Sequence, residues 1–188
     1  MSSVKVATVS LRRVSPDDAE LVHAWRGEAA ARRFQPLRQY PLDELRRSLH
    51  DRGAPIHPGS SGKVQWIIEA DGEPAGWINI DVMSREHGIG AVGYTVASGM
   101  HGRGIASRAL FALLPTAFEA DRLDLARMEG VAAVDNAASR RVMERAGFRQ
   151  EGLLRGLMEI DGRRVDHALY GLLKTDWMTF RRGQDARP

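Results

Sequence analysis

The sequence predicts a mixed α/β domain, and three observations carry that reading. Strand-like and helix-like segments alternate without strict βαβ repetition, two stretches read as hairpins across Asp-Gly turns, and a glycine-rich turn joins a strand to a helix mid-chain. The 188 residues, 43% hydrophobic and 27% charged, suffice for one domain with a substantial core. The expected organisation is a single domain over residues 1–180 and a basic, disordered tail over residues 181–188.

Val9 to Val14 reads as a strand. Ser15-Pro16-Asp17-Asp18 then supplies a cap residue, a proline at the first helical position and acids in the first turn, so a helix is expected to about Arg26. Pro41 opens a second helix to about Asp51, with Leu42, Leu45 and Leu49 at helical spacing. Gly53 to Lys63 is linker-like in its Gly, Pro and Ser content. Val64–Ala70 and Ala75–Val82 form a hairpin pattern across Asp71-Gly72, and Gly90–Val96 is a third strand of this group. Leu110, Leu113, Leu114 and Ala117 share one helical face, and Pro115 within it predicts a kink or an early end. Leu125–Val131 reads as a strand and Ala137–Ala146 as a short helix. Phe148–Ile160 and Arg163–Leu172 read as a hairpin across Asp161-Gly162.

Composition closes several branches of chemistry. With no cysteine there is no disulfide framework, thiolate metal site or cysteine nucleophile. The six histidines lack metal-ligand spacing, so no metal is expected. No apolar run approaches the roughly 20 residues of a membrane helix, and Met1 to Ser10 lacks a signal-peptide core, so a cytoplasmic protein without a membrane partner is expected. The pI is about 9.7. Even so, the formal net charge is only +3, of which the tail supplies +2, and elsewhere basic and acidic residues are mixed. No nucleic-acid partner is expected.

The segment from Val92 to Leu110 carries the strongest chemical signal. A strand enters a glycine-rich turn and then a helix, leaving unpaired backbone amides at the positive end of the helix dipole. Gly102 and Gly104 permit close approach or positive φ, and Arg103 and Arg108 add charged donors, so the turn reads as a phosphate cradle or as a plain chain reversal. It is neither a Walker loop nor a dinucleotide fingerprint.

The run His101-Gly102-Arg103-Gly104-Ile105-Ala106 resembles the acetyl-CoA pyrophosphate loop of the GNAT acetyltransferase superfamily, Q/R-x-x-G-x-G/A, with His101 in place of the usual first residue. Asn136-Ala137-Ala138-Ser139-Arg140-Arg141-Val142-Met143-Glu144-Arg145-Ala146-Gly147-Phe148 is similar to the N-x-x-S-x-x-V/L-x-E-x-x-G-F signature of its RimJ/RimL-like branch. The likeness extends from about Leu11 to Trp177.

This resemblance implies a GNAT fold, a mixed twisted sheet of six or seven strands with helices on both faces, and acetyl-CoA as cofactor. It implies cofactor contacts from Tyr94, Thr95, Val96, His101, Gly102, Arg103, Gly104, Ile105, Ala106, Ser107, Asn136 and Ser139, through backbone more than side chain in the strand. The implied reaction is acetyl transfer to a primary amine, either a protein N-terminal α-amine or a small molecule. The alternative is a non-catalytic acyl-CoA-binding or regulatory module. A homodimer is compatible with the family.

The superfamily's common proton-donating Tyr aligns with Met143, which leaves Ser139 as thiol partner or, alternatively, as a local cap. The usual carboxylate positions hold Met158 and Ala91. Glu129 is the preferred base by analogy, ahead of Asp81 and Asp166, while Glu159 would face the wrong side of a regular strand and water is the remaining route. Trp25 and Phe34 are candidates for the acceptor pocket, against core packing as the alternative for the tryptophans.

Overall fold

Trp77 and Ile78 are neighbours in sequence yet belong to different hydrophobic clusters, because successive side chains of a strand point to opposite faces. The strand that carries them is at the centre of the fold. The structure, a computed structural model, describes residues 7–185. Its strands are β1 (Val9–Arg13), β2 (Gly62–Ala70), β3 (Glu73–Ser84), β4 (Ile89–Val96), β5 (Arg127–Ala133), β6 (Arg149–Ile160) and β7 (Arg163–Leu173). They form one sheet in the order β1-β2-β3-β4-β5-β7-β6. Every neighbouring pair is antiparallel except β4 and β5.

Helices α1 (Ala19–Gly27), α2 (Ala29–Arg32) and α3 (Leu42–Arg52) precede β2, α4 (Ile105–Phe118) links β4 to β5, α5 (Ala137–Arg145) links β5 to β6, and α6 (Lys174–Asp185) follows β7. One sheet face, with Ile78, Ile80 and Met128, packs on Leu110, Leu113 and Leu114 of α4, Met143 of α5 and Trp177 of α6. The other, with Ile67 and Trp77, packs on Val22 and Trp25 of α1 and Leu45 and Leu49 of α3. The expected mixed sheet covered on both faces is therefore present, with seven strands.

Local chemistry explains most of the boundaries. The expected first helix is divided into a 3-10 turn, Pro16–Asp18, and α1. Pro115 neither ends nor visibly interrupts α4, contrary to the expectation for an interior proline. The proline forfeits one helical bond, to the Phe111 carbonyl, while Leu113, Leu114, Ala117 and Phe118 are almost wholly buried and hold the last turn in place. Residue 181, where a tail was expected to begin, lies within α6, and Arg181 donates to Glu119 at 2.9 Å. Residues 186–188 lie outside the described residues, as do residues 1–6.

The start of α1 is tied to the sheet by one ion pair. Arg12 on β1 donates through Nη1 and Nη2 to both oxygens of Asp18, at 2.9 and 2.7 Å, and the Ser15 amide donates to Asp18 at 2.8 Å. Burial pushes the Asp18 carboxyl up, but the bonds from Arg12 and Ser15 outweigh it and hold the group below its ordinary value. A depressed carboxyl stabilises the folded state at neutral pH, and that contribution disappears as pH falls through the lowered value. Asp18→Asn should therefore cost about 2 kcal/mol in urea unfolding at pH 7. The gap to wild type should close as pH falls through the lowered Asp18 value, and a gap independent of pH would contradict this assignment.

Candidate active site

Strands β4 and β5 pair only at Ile89–Arg127, Gly90–Met128 and Ala91–Glu129. Beyond that point β4 stays with β3 as far as Val96–Gly76, and β5 stays with β7 as far as Ala133–His167. The two central strands thus separate into a wedge. Two side chains bond the backbone of β4 along it: Gln35 Nε2 donates to the Tyr94 carbonyl at 3.1 Å, and His101 Nε2 meets the Val96 carbonyl at 2.9 Å. A carbonyl only accepts, so the His101 Nε2 carries the proton. In a strand, a residue's N–H and C=O point to the same edge, so the Tyr94 and Val96 amides also face the wedge.

The loop after β4 is built for anion contact. Gly102 and Gly104 have φ of +75° and +71°, in the left-handed region that favours glycine, and Gly104 caps α4. The first-turn amides of Ile105, Ala106 and Ser107 have no partner within the helix and sit at its positive end. Arg108 braces the loop by donating to the Arg103 carbonyl at 2.9 Å, and Arg103 reaches Asp71 at 3.7 Å. His101, the departure from the motif, folds back onto β4 and fixes the loop to the strand. These groups fit a pyrophosphate: positive φ, free amides and two guanidinium groups at one turn.

On the sheet face covered by α4 and α5, Tyr94 Oη and Ser139 Oγ are 2.8 Å apart, and Tyr94 Oη is also 3.3 Å from the Ser139 carbonyl. Ser139 is held in the first turn of α5 because Asn136, the N-cap, accepts its amide at 3.1 Å. Burial pushes the Tyr94 phenol up to about 12, although its bond with Ser139 acts in the opposite direction. Tyr94 is therefore a protonated hydroxyl at neutral pH. Met143 is buried against the core and carries no polar role.

The carboxylates separate clearly. Across the sheet, Asp81, Ala91 and Glu129 lie in register, so the two acids flank the alanine on the face covered by α1 and α3. Glu129 is bonded by Arg127 Nε at 2.8 Å, and Asp81 lies 3.5 Å from Lys63. Asp166 accepts the Gly156 amide at 2.7 Å, where β6 departs from regular pairing between Leu154 and Met158. Glu159 lies beyond that irregularity, largely exposed and 3.8 Å from Arg164.

Other expected contacts are not brought together. Thr95 points away from the Tyr94–Ser139 pair, is 5% exposed, and its Oγ1 is buried without a partner. Trp25 is packed between α1, α3 and Trp77, while Phe34 is half-buried beneath the Arg33 guanidinium at 5.0 Å. A cleft of about 670 Å³ is lined by Arg13, Trp66, Pro115 and Glu119 near the far end of α4 and includes none of the wedge residues. Gln35 escaped sequence reasoning because no local signal links a loop amide to a strand 59 residues away.

The raised Tyr94 value has a measurable sign. Because the folded-state value of about 12 exceeds the ordinary 10.0, the group stabilises the fold below pH 10 and loses that contribution between pH 10 and 12. The stability advantage of wild type over Tyr94→Phe in urea should shrink across that window. A constant difference would mean the phenol is not buried as described.

Residues 8–149 match the family model described as an acetyltransferase (GNAT) domain. YdaF of Bacillus subtilis, whose assigned name is that of a ribosomal N-acetyltransferase, is 36% identical over 107 residues, 57% of this chain and only 57% of that protein. The uncharacterised N-acetyltransferase YoaA of the same organism is 28% identical over 87% of this chain and 92% of its own length. Among solved structures, Mycobacterium smegmatis RimJ in complex with CoA-disulfide superposes with a TM-score of 0.72 at 26% identity, covering 93% of this chain and 90% of that one. The Vibrio cholerae spermidine N-acetyltransferase in complex with CoA and spermine gives a TM-score of 0.77 at 20% identity, over 90% and 98% of the two chains, a likeness of fold alone. The chain belongs to the GNAT acetyltransferase family.

Proposed function

We propose that the protein transfers an acetyl group from acetyl-CoA to a primary amine, a protein N-terminal α-amine or that of a small molecule. The observation that carries this reading is the wedge itself, with the Tyr94–Ser139 hydroxyl pair on its α4/α5 face and the glycine loop at the β4 end. Acetyl-CoA, when bound, supplies a thioester acyl group and a thiolate that must leave with a proton. The loop from His101 to Ser107 holds its phosphates, and the Tyr94 and Val96 amides together with Asn136 hold its extended arm.

Ser139 is the thiol partner. Its hydroxyl lies at the positive end of α5 and would pass its proton to the departing sulfur while taking one from Tyr94, which is protonated at neutral pH and would regain its proton from solvent. This relay takes the place of the family's usual tyrosine, which is Met143 here. On the opposite face Glu129 receives the proton of the attacking amine, and Arg127 fixes the carboxylate through Nε at 2.8 Å. A second reading, acyl-CoA binding without turnover, is favoured by one feature: the usual carboxylate positions are Ala91 and Met158.

Three variants test the scheme by calorimetry and by thiol release over a panel of peptide and small-molecule amines. Ser139→Ala and Tyr94→Phe should each lower kcat about 10- to 100-fold, with acetyl-CoA affinity within about threefold of wild type. Gly104→Val should instead weaken acetyl-CoA binding at least about tenfold, because a branched side chain at positive φ distorts the loop. Tight binding with no release from any amine would favour the binding module, and unchanged kcat in Ser139→Ala would remove the relay.

A further inference from the structure

The face of the sheet that would receive the acceptor carries two cations without a matching acid. Arg52, in the last turn of α3, donates Nη1 to Gln65 Oε1 at 3.1 Å, a neutral partner on β2. Arg26, in the last turn of α1, donates Nε and Nη2 to the Arg38 carbonyl at 2.9 and 2.7 Å and lies 5.1 Å from the centre of the Tyr40 ring. Both arginines are half-buried, and neither takes part in an ion pair among the described residues. Burial lowers the basicity of both; Tyr40 partly restores it, Asp81 does so for Arg52, and the charge of Arg52 lowers Arg26 further. Asp81 is the one carboxylate acting on the pair, and it already faces Lys63 at 3.5 Å.

Their location relates them to the wedge. Gln65, Asn79 and Gly93 are in register across β2, β3 and β4, and β4 carries the Tyr94 and Val96 amides. Two strand spacings, about 10 Å, separate the residue that Arg52 contacts from that strand. The connecting loop adds to the field: residues 26–40 contain Arg26, Arg32, Arg33 and Arg38 against a single acid, Glu28. Glu28 is itself occupied, accepting the Ser98 amide at 2.8 Å. Arg26 Nη1 and Arg52 Nε and Nη2 have no hydrogen-bond partner among the described residues and are not among the solvent-shielded atoms.

We propose that the acceptor is an amine bearing an anionic group, a carboxylate or a phosphate, about 10 Å from its nitrogen, and that Arg26 and Arg52 bind that group. An anion between two half-buried guanidinium groups relieves their mutual repulsion and gains charge-assisted, fork-shaped hydrogen bonds. A polyamine would meet like charge over the same surface. The assignment of the amine end rests on the acetyl-transfer reading, whereas the anion site can be tested without it.

The test is calorimetric titration of the protein with triglycine, triglycine amide and 6-aminohexyl phosphate, with acetyl transfer to each measured in parallel. A tripeptide spans about the required distance. At least one anionic probe should bind about tenfold tighter than the amide, and which one does so distinguishes carboxylate from phosphate. Arg26→Gln and Arg52→Gln should each reduce that preference to less than about threefold, with Arg52→Lys retaining part of it and reporting on a correctly folded site. Equal affinities, or no binding of any probe, would overturn the proposal. Preferential binding of an anion that is never acetylated would uphold the anion site and remove the acetyl-transfer reading, while acetylation without preference would do the reverse.

Discussion

The separation of β4 from β5 after three paired positions is the constraint on which the rest of the structure depends. A strand edge exposed in the middle of a sheet leaves backbone donors and acceptors without partners, a cost of order 1–3 kcal/mol for each buried group. The fold offsets this on both sides. β4 keeps a full ladder with β3 and β5 keeps one with β7, so each strand is held by its outer neighbour. Gln35 and His101 take up two of the exposed carbonyls, leaving the amides of the same residues free for a ligand. The departure at His101 therefore reads as a structural gain at the strand in exchange for a side chain lost from the phosphate loop.

The same separation divides the chemistry between two faces. On one side α4 and α5 bring the positive ends of two helices, the glycine loop and the Tyr94–Ser139 pair together, a setting that favours phosphate and a departing thiolate. On the other, Asp81 and Glu129 flank Ala91, and Arg26 and Arg52 stand farther out over β2. The Tyr94–Ser139 hydroxyls and the two carboxylates thus lie on opposite sides of the strand layer. The ion pair of Arg12 with Asp18 matters to this arrangement because it fixes the entry into α1, the helix that carries Arg26.

Much of this was legible in the chain. The glycine loop and the Asn136-to-Phe148 signature are local, so the sequence alone could identify the family. The hairpins across Asp71-Gly72 and Asp161-Gly162 were legible for the same reason, since both aspartates adopt the positive φ that such turns require. The effect of Pro115 was not legible because the burial of Leu113, Leu114, Ala117 and Phe118, which offsets its lost bond, is tertiary. Tyr94 and Ser139 are 45 residues apart, so no local signal links them, and Gln35, Arg26 and Arg52 carry no local motif at all. Trp25 was ambiguous between core and pocket, and only its contacts with Trp77 and the leucines of α3 assign it to the core.

Hydrogen exchange of individual backbone amides tests the wedge most directly. In the free protein the Tyr94 and Val96 amides should exchange far faster than the Thr95 amide, which pairs with β3, and saturating acetyl-CoA should slow the two at least about tenfold. Protection of Tyr94 and Val96 before any ligand is added, or exchange unchanged at saturating acetyl-CoA, would contradict an open strand edge as the cofactor site.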